Sequence, residues 1–437
     1  MQFTYNPSDE LLTLTDGKNQ TTTWNYDEYG RVTNKLDAAG ITNFVYQYDP
    51  NGRLTSRWTP AKGTTVYGYD PIGNLTNVDY SGGTAPTPSI SFAYDGLNRL
   101  VSMADGIGTT AFGWTDGDQL ASETGPWPDD SISYTYANRL RNSLSLLQPN
   151  ASPWMQNYSY DTEMRLTELT SPAGAFSYAF GGASSASSLI SKLTLPNGGY
   201  ITNAYDSLAR LFSTKLLNSG SSILDSSAYA YDLGNERTQQ VFTAGNYINY
   251  TYDNIGQLKS AIGKEAGGTT NRLQEQFGYA YDKAWNLSQR TNNLLIQNFG
   301  VNVLNELTNG TRSGTLTVGG TTTSVATNVT VNTSNAVLYA DGTFAATNFT
   351  VANGNNTFTA IARDSYGRRD TNSITVNLPA TNSYTYDANG NLTNAGNRYF
   401  GYDDENQLVS VWVANTWSNS FAYDGFHSIR ASSLSRD

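Results

Sequence analysis

Apolar and polar positions along this chain recur in one fixed order. A tyrosine closes a run of β-forming residues, an aspartate follows, then two variable residues, a Gly or Asn, and a polar residue; an aliphatic side chain reopens the apolar run six positions after the tyrosine. The stretches "YDPNGRL" from Tyr48, "YDPIGNL" from Tyr69 and "YDGLNRL" from Tyr94 show the order plainly. Twelve Tyr-Asp pairs open such a unit, and eleven of the twelve residues at the sixth position are aliphatic. The clearest copies hold Tyr26, Asp27 and Gly30; Tyr48, Asp49, Gly52 and Leu54; Tyr69, Asp70, Gly73 and Leu75; Tyr94, Asp95 and Leu100; Tyr252, Asp253, Gly256 and Leu258; and Tyr386, Asp387, Gly390 and Leu392. Each reads as a β-hairpin. A strand ends on Tyr, Asp opens a turn by accepting a backbone hydrogen bond, Gly or Asn takes the left-handed position, and the aliphatic residue re-enters the sheet.

Spacing extends the reading. With worn copies at Tyr5, Trp114 and Tyr134, the units fall 20 to 26 residues apart up to Tyr160, room for two strands and two turns, and the 45 residues from Tyr160 to Tyr205 fit two units with a faint copy near Tyr178. No single hairpin buries enough surface to stand alone, so the units must form one long ribbon. The pattern changes between Tyr281 and Tyr386, where short strands alternate around the turns Asp341-Gly342 and Gly354-Asn355. That segment is expected to be a small β-sandwich inserted in a ribbon loop, with Val329, Val331, Val337, Phe349, Val351, Phe358, Ile361, Ile374 and Val376 as its apolar set. The expected organisation is residues 1–303 as hairpin array, 304–379 as insert and 380–437 as continued array. The fold class is all-β.

Composition agrees: 14% of residues are charged, while the 437 residues include 30 Tyr and 40 Gly. A net charge of −11 with no basic tract argues against nucleic acid and anionic membranes as partners. No window is long and apolar enough to span a bilayer, and the N-terminus shows no signal-peptide pattern. There is no Cys and a single His, His427, which removes disulfides and Cys- or His-based catalytic and zinc sites.

The Tyr-Asp unit, with Gly at the fourth position, Arg, Asn or Gln at the fifth and Leu at the sixth, resembles the YD repeat of the RHS family. That family includes shells of bacterial polymorphic toxins and of insecticidal toxin complexes, and the barrel of teneurins. The resemblance covers about residues 1–293 and 380–437. It implies a ribbon wound into a hollow β-shell or open spiral that encloses a C-terminal cargo, a secreted or cell-surface setting, and no cofactor. The insert resembles a bacterial Ig-like module. No RHS core or cargo domain is recognisable, so the chain reads as a segment of a longer shell protein.

Carboxylates are the remaining candidates for chemistry, as an acidic ladder of turn aspartates or as a paired general acid and base. Turn capping accounts for the ladder without catalysis. Asp49-Pro50-Asn51-Gly52 and Asp70-Pro71-Ile72-Gly73 share letters with a cleavage signature of the family's core, but a type I turn explains both and no cleavage role is assigned. The expectation is a non-enzymatic scaffold with no catalytic, cofactor or metal residues. The alternative is an adhesion or glycan-binding module using exposed aromatic faces, and a carboxylate glycosidase ranks behind both.

Overall fold

The computed structural model describes residues 1–82, 87–181 and 187–436. Among them every regular element is a strand and none is a helix, so none offers a helix long and apolar enough to cross a membrane. The chain divides into two compact units. The first comprises Met1–Tyr158, Val301–Thr308 and Ser383–Asp437, and the second Ser159–Gly300 and Asn309–Asn382.

In the first unit, each strand from Gln2–Tyr5 to Trp154–Tyr160 pairs antiparallel with the next, as do those from Thr381–Tyr386 to Ile429–Arg436. Tyr48 and Leu54 are cross-strand partners, with a one-residue register shift between Gln47 and Tyr48. The same shift marks Tyr26, Tyr69, Tyr252 and Tyr386. A type I turn followed by a left-handed residue produces this bulge, which explains why both apolar positions are constant in the sequence. The unit's buried cluster is small: Val78, Ile90 and Met103, flanked by Tyr67, Leu75, Tyr80, Phe92 and Phe112.

Turns of the last hairpins seat on the opposite edge of the first ones. Asn305 donates to Asp16 at 2.9 Å, and Asn389 donates to Thr59 at 3.0 Å. Lys62 reaches Asp387 at 3.4 Å, while Arg57 pairs with Glu405 at 2.8 Å. The amide of Thr87 bonds Asp404 and the amide of Gly425 bonds Asp105. Phe426 closes the row against Phe112, edge on, with ring centres 5.8 Å apart. In the turns opened by Asp403 and Asp424 the second and third residues make these contacts; in those opened by Asn302 and Asp387 they come from the left-handed Asn305 and from Asp387 and Asn389. Leu97 and Ile72, third residues of early repeats, stay exposed.

The second unit holds the same ribbon from Leu166–Ser171 to Leu295–Val301, together with two small sheets. Leu316–Thr321, Thr343–Phe349 and Val337–Leu338 form the three-stranded sheet; Ser334–Asn335, Asn328–Val331, Gly354–Arg363 and Arg369–Leu378 form the four-stranded one. Their shared core is Val329, Val331, Phe344, Ala346 and Phe358, with Phe349 and Val376 packed against it. Four members of the expected apolar set lie outside it: Val351 and Ile361 are half-buried, while Val337 is 47% and Ile374 61% exposed. Phe344, Ala345 and Ala346, unexpected from sequence, are buried.

The ribbon also runs beyond residue 303, where the insert was expected to begin. Asn302 and Glu306 close a turn of repeat geometry, Asn305 is left-handed at φ 61°, and the strand that follows is Leu307–Gly314. Val301 stands where the other units have tyrosine, which hid this copy.

Candidate functional site

The expected motif residues line one edge of the ribbon, and they build a ladder. In "YDPNGRL" the Asp49 Oδ1 accepts the amides of Asn51 and Arg53, both at 2.9 Å, and the Gly52 amide donates to the Asp49 carbonyl. Oδ2 takes the Arg53 guanidinium at 2.7 Å. Arg53 then reaches the next repeat, donating to the Asp70 carbonyl at 3.1 Å and lying 4.8 Å over the Tyr69 ring. The Tyr69 hydroxyl in turn donates back to the Leu54 carbonyl at 2.9 Å.

The same links recur. Tyr26, Tyr48, Tyr94 and Tyr252 donate to the carbonyls of Leu11, Val32, Leu75 and Arg237. Arg31 and Arg99 bridge Asp27 and Asp95 to the following turn. Asp253 and Asp387 cap their turns through the amides of Gln257 and Asn391, with Gly256 and Gly390 left-handed. Leu100, Leu258 and Leu392 re-enter the sheet opposite Tyr94, Tyr252 and Tyr386. Amide bonds from Arg53 and Arg99, with the guanidinium beside each, hold Asp49 and Asp95 below the ordinary carboxylate range. These aspartates are acceptors already in use, and so poor bases.

Where the fourth position is not Gly the backbone is still left-handed: Met164, Ala209, Trp285 and His427 all have φ between 62° and 72°. His427 is thus a turn residue. Trp114 replaces tyrosine by donating its indole N–H to Leu100 at 2.8 Å. The worn copy placed at Tyr134 is shifted by two: Tyr136 makes the ladder bond, to Leu120, and Asn138 and Arg139 form the turn. Near Tyr178 the ladder position belongs to Phe180, under Arg165.

One cavity, of about 270 Å³, adjoins the seated turns of the first unit and is lined by Tyr80, Ile90, Ile107, Asp403, Phe421 and His427 among others. Burial raises Asp403 above the ordinary carboxylate range, aided by Glu405 and Asp404 and opposed by the amides of Gln407 and Glu405. Its turn carries Gln407 where those of Asp27, Asp49 and Asp95 carry Arg, so it lacks the guanidinium that neutralises those. An ionised Asp403 therefore costs stability above its folded pKa, and the cost is relieved as pH falls through it. Asp403→Asn keeps the acceptor oxygen for both amides. Its melting temperature should exceed the parent's at pH 8, with the gap closing towards pH 4; a variant less stable at pH 8 would contradict this. Among the described residues no group of three or more His, Asp or Glu is placed to hold a metal ion.

Residues 1–112 match the Teneurin YD-shell family model. No curated protein matches the chain. Solved structures do: TcdB2-TccC3-TEV at 14% identity and TM-score 0.54, covering 97% of this chain and 25% of that one. TcdB2-TccC3 without its hypervariable C-terminal region matches at 14% identity and TM-score 0.54, covering 98% and 25%. The Photorhabdus luminescens Tc holotoxin pore matches at 15% and 0.51, covering 96% and 22%. The chain thus spans about a quarter of the length of these chains, whose likeness is one of fold. The repeated hairpin ladder and the match over residues 1–112 make the chain similar to the RHS/YD-repeat family, and the solved structures share its fold.

Proposed function

We propose that this chain is a non-enzymatic wall segment of a secreted or cell-surface β-shell that encloses or displays a cargo domain carried elsewhere. The observation that carries the reading is the ladder: the tyrosine of one repeat bonds back to the repeat before it and, where the turn carries an Arg, the Asp-held guanidinium reaches the repeat after it. A wall needs such coupling along its length, and a catalytic carboxylate needs the opposite, an acceptor left free.

The test is a fusion. A small fluorescent protein of known protease sensitivity, joined after Asp437, should be digested more slowly than the same protein on an unrelated carrier. Equal digestion rates would defeat enclosure. Hydrolysis of any substrate in a polysaccharide and peptide panel, abolished by a carboxylate substitution, would defeat the non-enzymatic reading. One observation favours glycan binding as the second reading: Tyr399 and Trp412 are stacked 5.5 Å apart and are 39% and 37% exposed. A glycan array showing no signal lost in Trp412→Ala would remove it.

A further inference from the structure

In repeats that carry arginine at the fifth position, a guanidinium fills the space between one turn and the next. Arg53 meets Asp49 Oδ2, the Asp70 carbonyl and the face of Tyr69 there. Arg31 repeats the set with Asp27 Oδ2 at 2.7 Å, the Asp49 carbonyl at 3.2 Å and the Tyr48 ring at 4.7 Å, and Arg210 does so with Asp206, Asp232 and Tyr231. Two Tyr-Asp turns, those of Asp253 and Asp403, carry Gln instead. A cavity adjoins each. Asp403, Gln407, Tyr423 and Asp424 line the one of about 270 Å³, and Asp253, Gln257, Tyr281 and Asp282 line one of about 440 Å³. These are the positions that hold the guanidinium elsewhere, so shortening Arg to Gln leaves the same seat open twice.

The two seats differ in their surroundings. Lys259 and Lys283 line the cavity at Asp253 and already supply positive charge. No Lys or Arg lines the cavity at Asp403, whose far wall is the apolar surface of Ile90, Ile107, Val409 and Phe421. Its other carboxylates are engaged: Glu405 pairs with Arg57, Asp424 with Arg430, and Asp105 takes the amides of Ile107 and Gly425. Asp403 Oδ1 takes the amides of Glu405 and Gln407. Its Oδ2 is the oxygen that meets Arg in other repeats, and here it accepts no hydrogen bond among the described residues. Tyr80, Tyr423 and His427 complete the titratable groups at the cavity. Burial raises Asp403, as expected of a carboxylate set beside an apolar wall without its cation.

We propose that the cavity at Asp403 binds a guanidinium on a short apolar stem, brought by a separate molecule. The group takes the place that Arg53 holds in its own repeat. It donates to Asp403 Oδ2 and to the Asp424 carbonyl and lies over the Tyr423 ring, while the stem packs against Ile107 and Phe421. A planar cation with donors in fixed directions suits such a seat better than an ammonium does. The link between turns that Gln407 omits is then supplied by the ligand.

The test titrates benzylguanidine into the full chain by calorimetry at pH 8. Saturable binding is expected, at least about tenfold tighter than that of N-benzylurea, its neutral counterpart of the same shape. Asp403→Asn should weaken it at least about tenfold. Gln407→Arg, which fills the seat from within the chain, should abolish binding without lowering the melting temperature, and so separates an occupied seat from a damaged fold. Asp253→Asn should leave binding unchanged. N-acetylarginine methylamide distinguishes two carriers of the group: affinity equal to that of benzylguanidine assigns the seat to an arginine side chain, and weaker affinity to a free small guanidine. No saturable binding, equal binding of N-benzylurea, or affinity retained in either cavity variant overturns the proposal. Loss of binding in Asp253→Asn would place the ligand at the other cavity and overturn it equally.

Discussion

Replacing Arg272 with alanine is expected to cost about 3–5 kcal/mol at neutral pH, and less as the pH is lowered towards 5. Arg272 is 1% exposed and its guanidinium meets three carboxylates: Glu265 at 2.5 Å, Asp341 at 2.8 Å and Glu275 at 2.9 Å. It also lies 4.4 Å over the Tyr339 ring and donates to Thr343. Glu265 and Glu275 belong to the ribbon hairpin, Asp341 and Tyr339 to a turn of the small sheets, so one buried cation joins the two. Removing it leaves three carboxylates facing one another. Burial already raises Glu275 even with the cation present, so its ionised form carries a cost that is relieved as pH falls through its folded pKa. Asp341 is the opposite case: despite burial, bonds from Thr343 and the nearby Arg272 hold it below the ordinary range, and its contribution is lost only as pH falls through that lowered pKa. In Arg272→Ala both groups lack the cation, and acidification should recover part of the loss. Thermal unfolding of parent and variant across pH 5 to 8 reads this directly. A deficit constant over that range would mean that packing, and not charge, is what Arg272 supplies.

The second large effect is expected at Gly63. Gly63 has φ +77°, and a Cβ there would come within 2.3 Å of the Ser81 carbonyl oxygen and 2.8 Å of the Gly82 Cα. Both are backbone and neither yields easily. Gly63→Val therefore combines left-handed strain with overpacking, roughly 2–6 kcal/mol together. Gly73 is also left-handed, at φ +104°, but its Cβ would meet nothing nearer than the Arg53 guanidinium at 3.9 Å. Gly73→Val should cost only the strain, about 1–3 kcal/mol. Asp70→Asn should move least, because Asn can still accept the amides of Ile72, Gly73 and Asn74, and the Asn74 amide can turn to face it. Unfolding midpoints ranked Gly63→Val lowest, then Gly73→Val, then Asp70→Asn would support this reading. If Asp70→Asn were lowest, the aspartates would have a role that turn capping does not describe.

The hairpin was legible because its turn chemistry is local. Asp, the left-handed residue and the aliphatic re-entry all act within seven residues, and a periodic sequence repeats that signal. The copy at Val301 was hidden because it keeps the turn but loses the tyrosine. The two-residue shift at Tyr134 arose because Asn138 and Arg139 make a tighter turn than the other units. The role of Arg53 was not legible: its partners are the preceding aspartate, 4 residues away, and the Asp70 carbonyl, 17 away, and only the second requires the next hairpin to be in place. Arg272 was invisible for the same reason, since Asp341 lies 69 residues on. Ile374 fits the apolar alternation of its strand, and sequence carries no sign that the opposing sheet stops one strand short.

The seated turns of the first unit work as a keyed register. Asn389 fits the polar seat at Thr59, Glu405 the cationic one at Arg57, and Phe426 the aromatic one at Phe92 and Phe112. No two keys are interchangeable: a slip of one place would bring a phenyl ring to a guanidinium in one direction, or a carboxylate to a pair of aromatic rings in the other. A ribbon whose neighbouring hairpins are nearly identical has little else to tell it where to stop sliding. It follows that gaining or losing one hairpin between seats and keys would leave every rung of the ladder intact and still mismatch the whole row, so hairpin number is under tighter constraint than hairpin sequence.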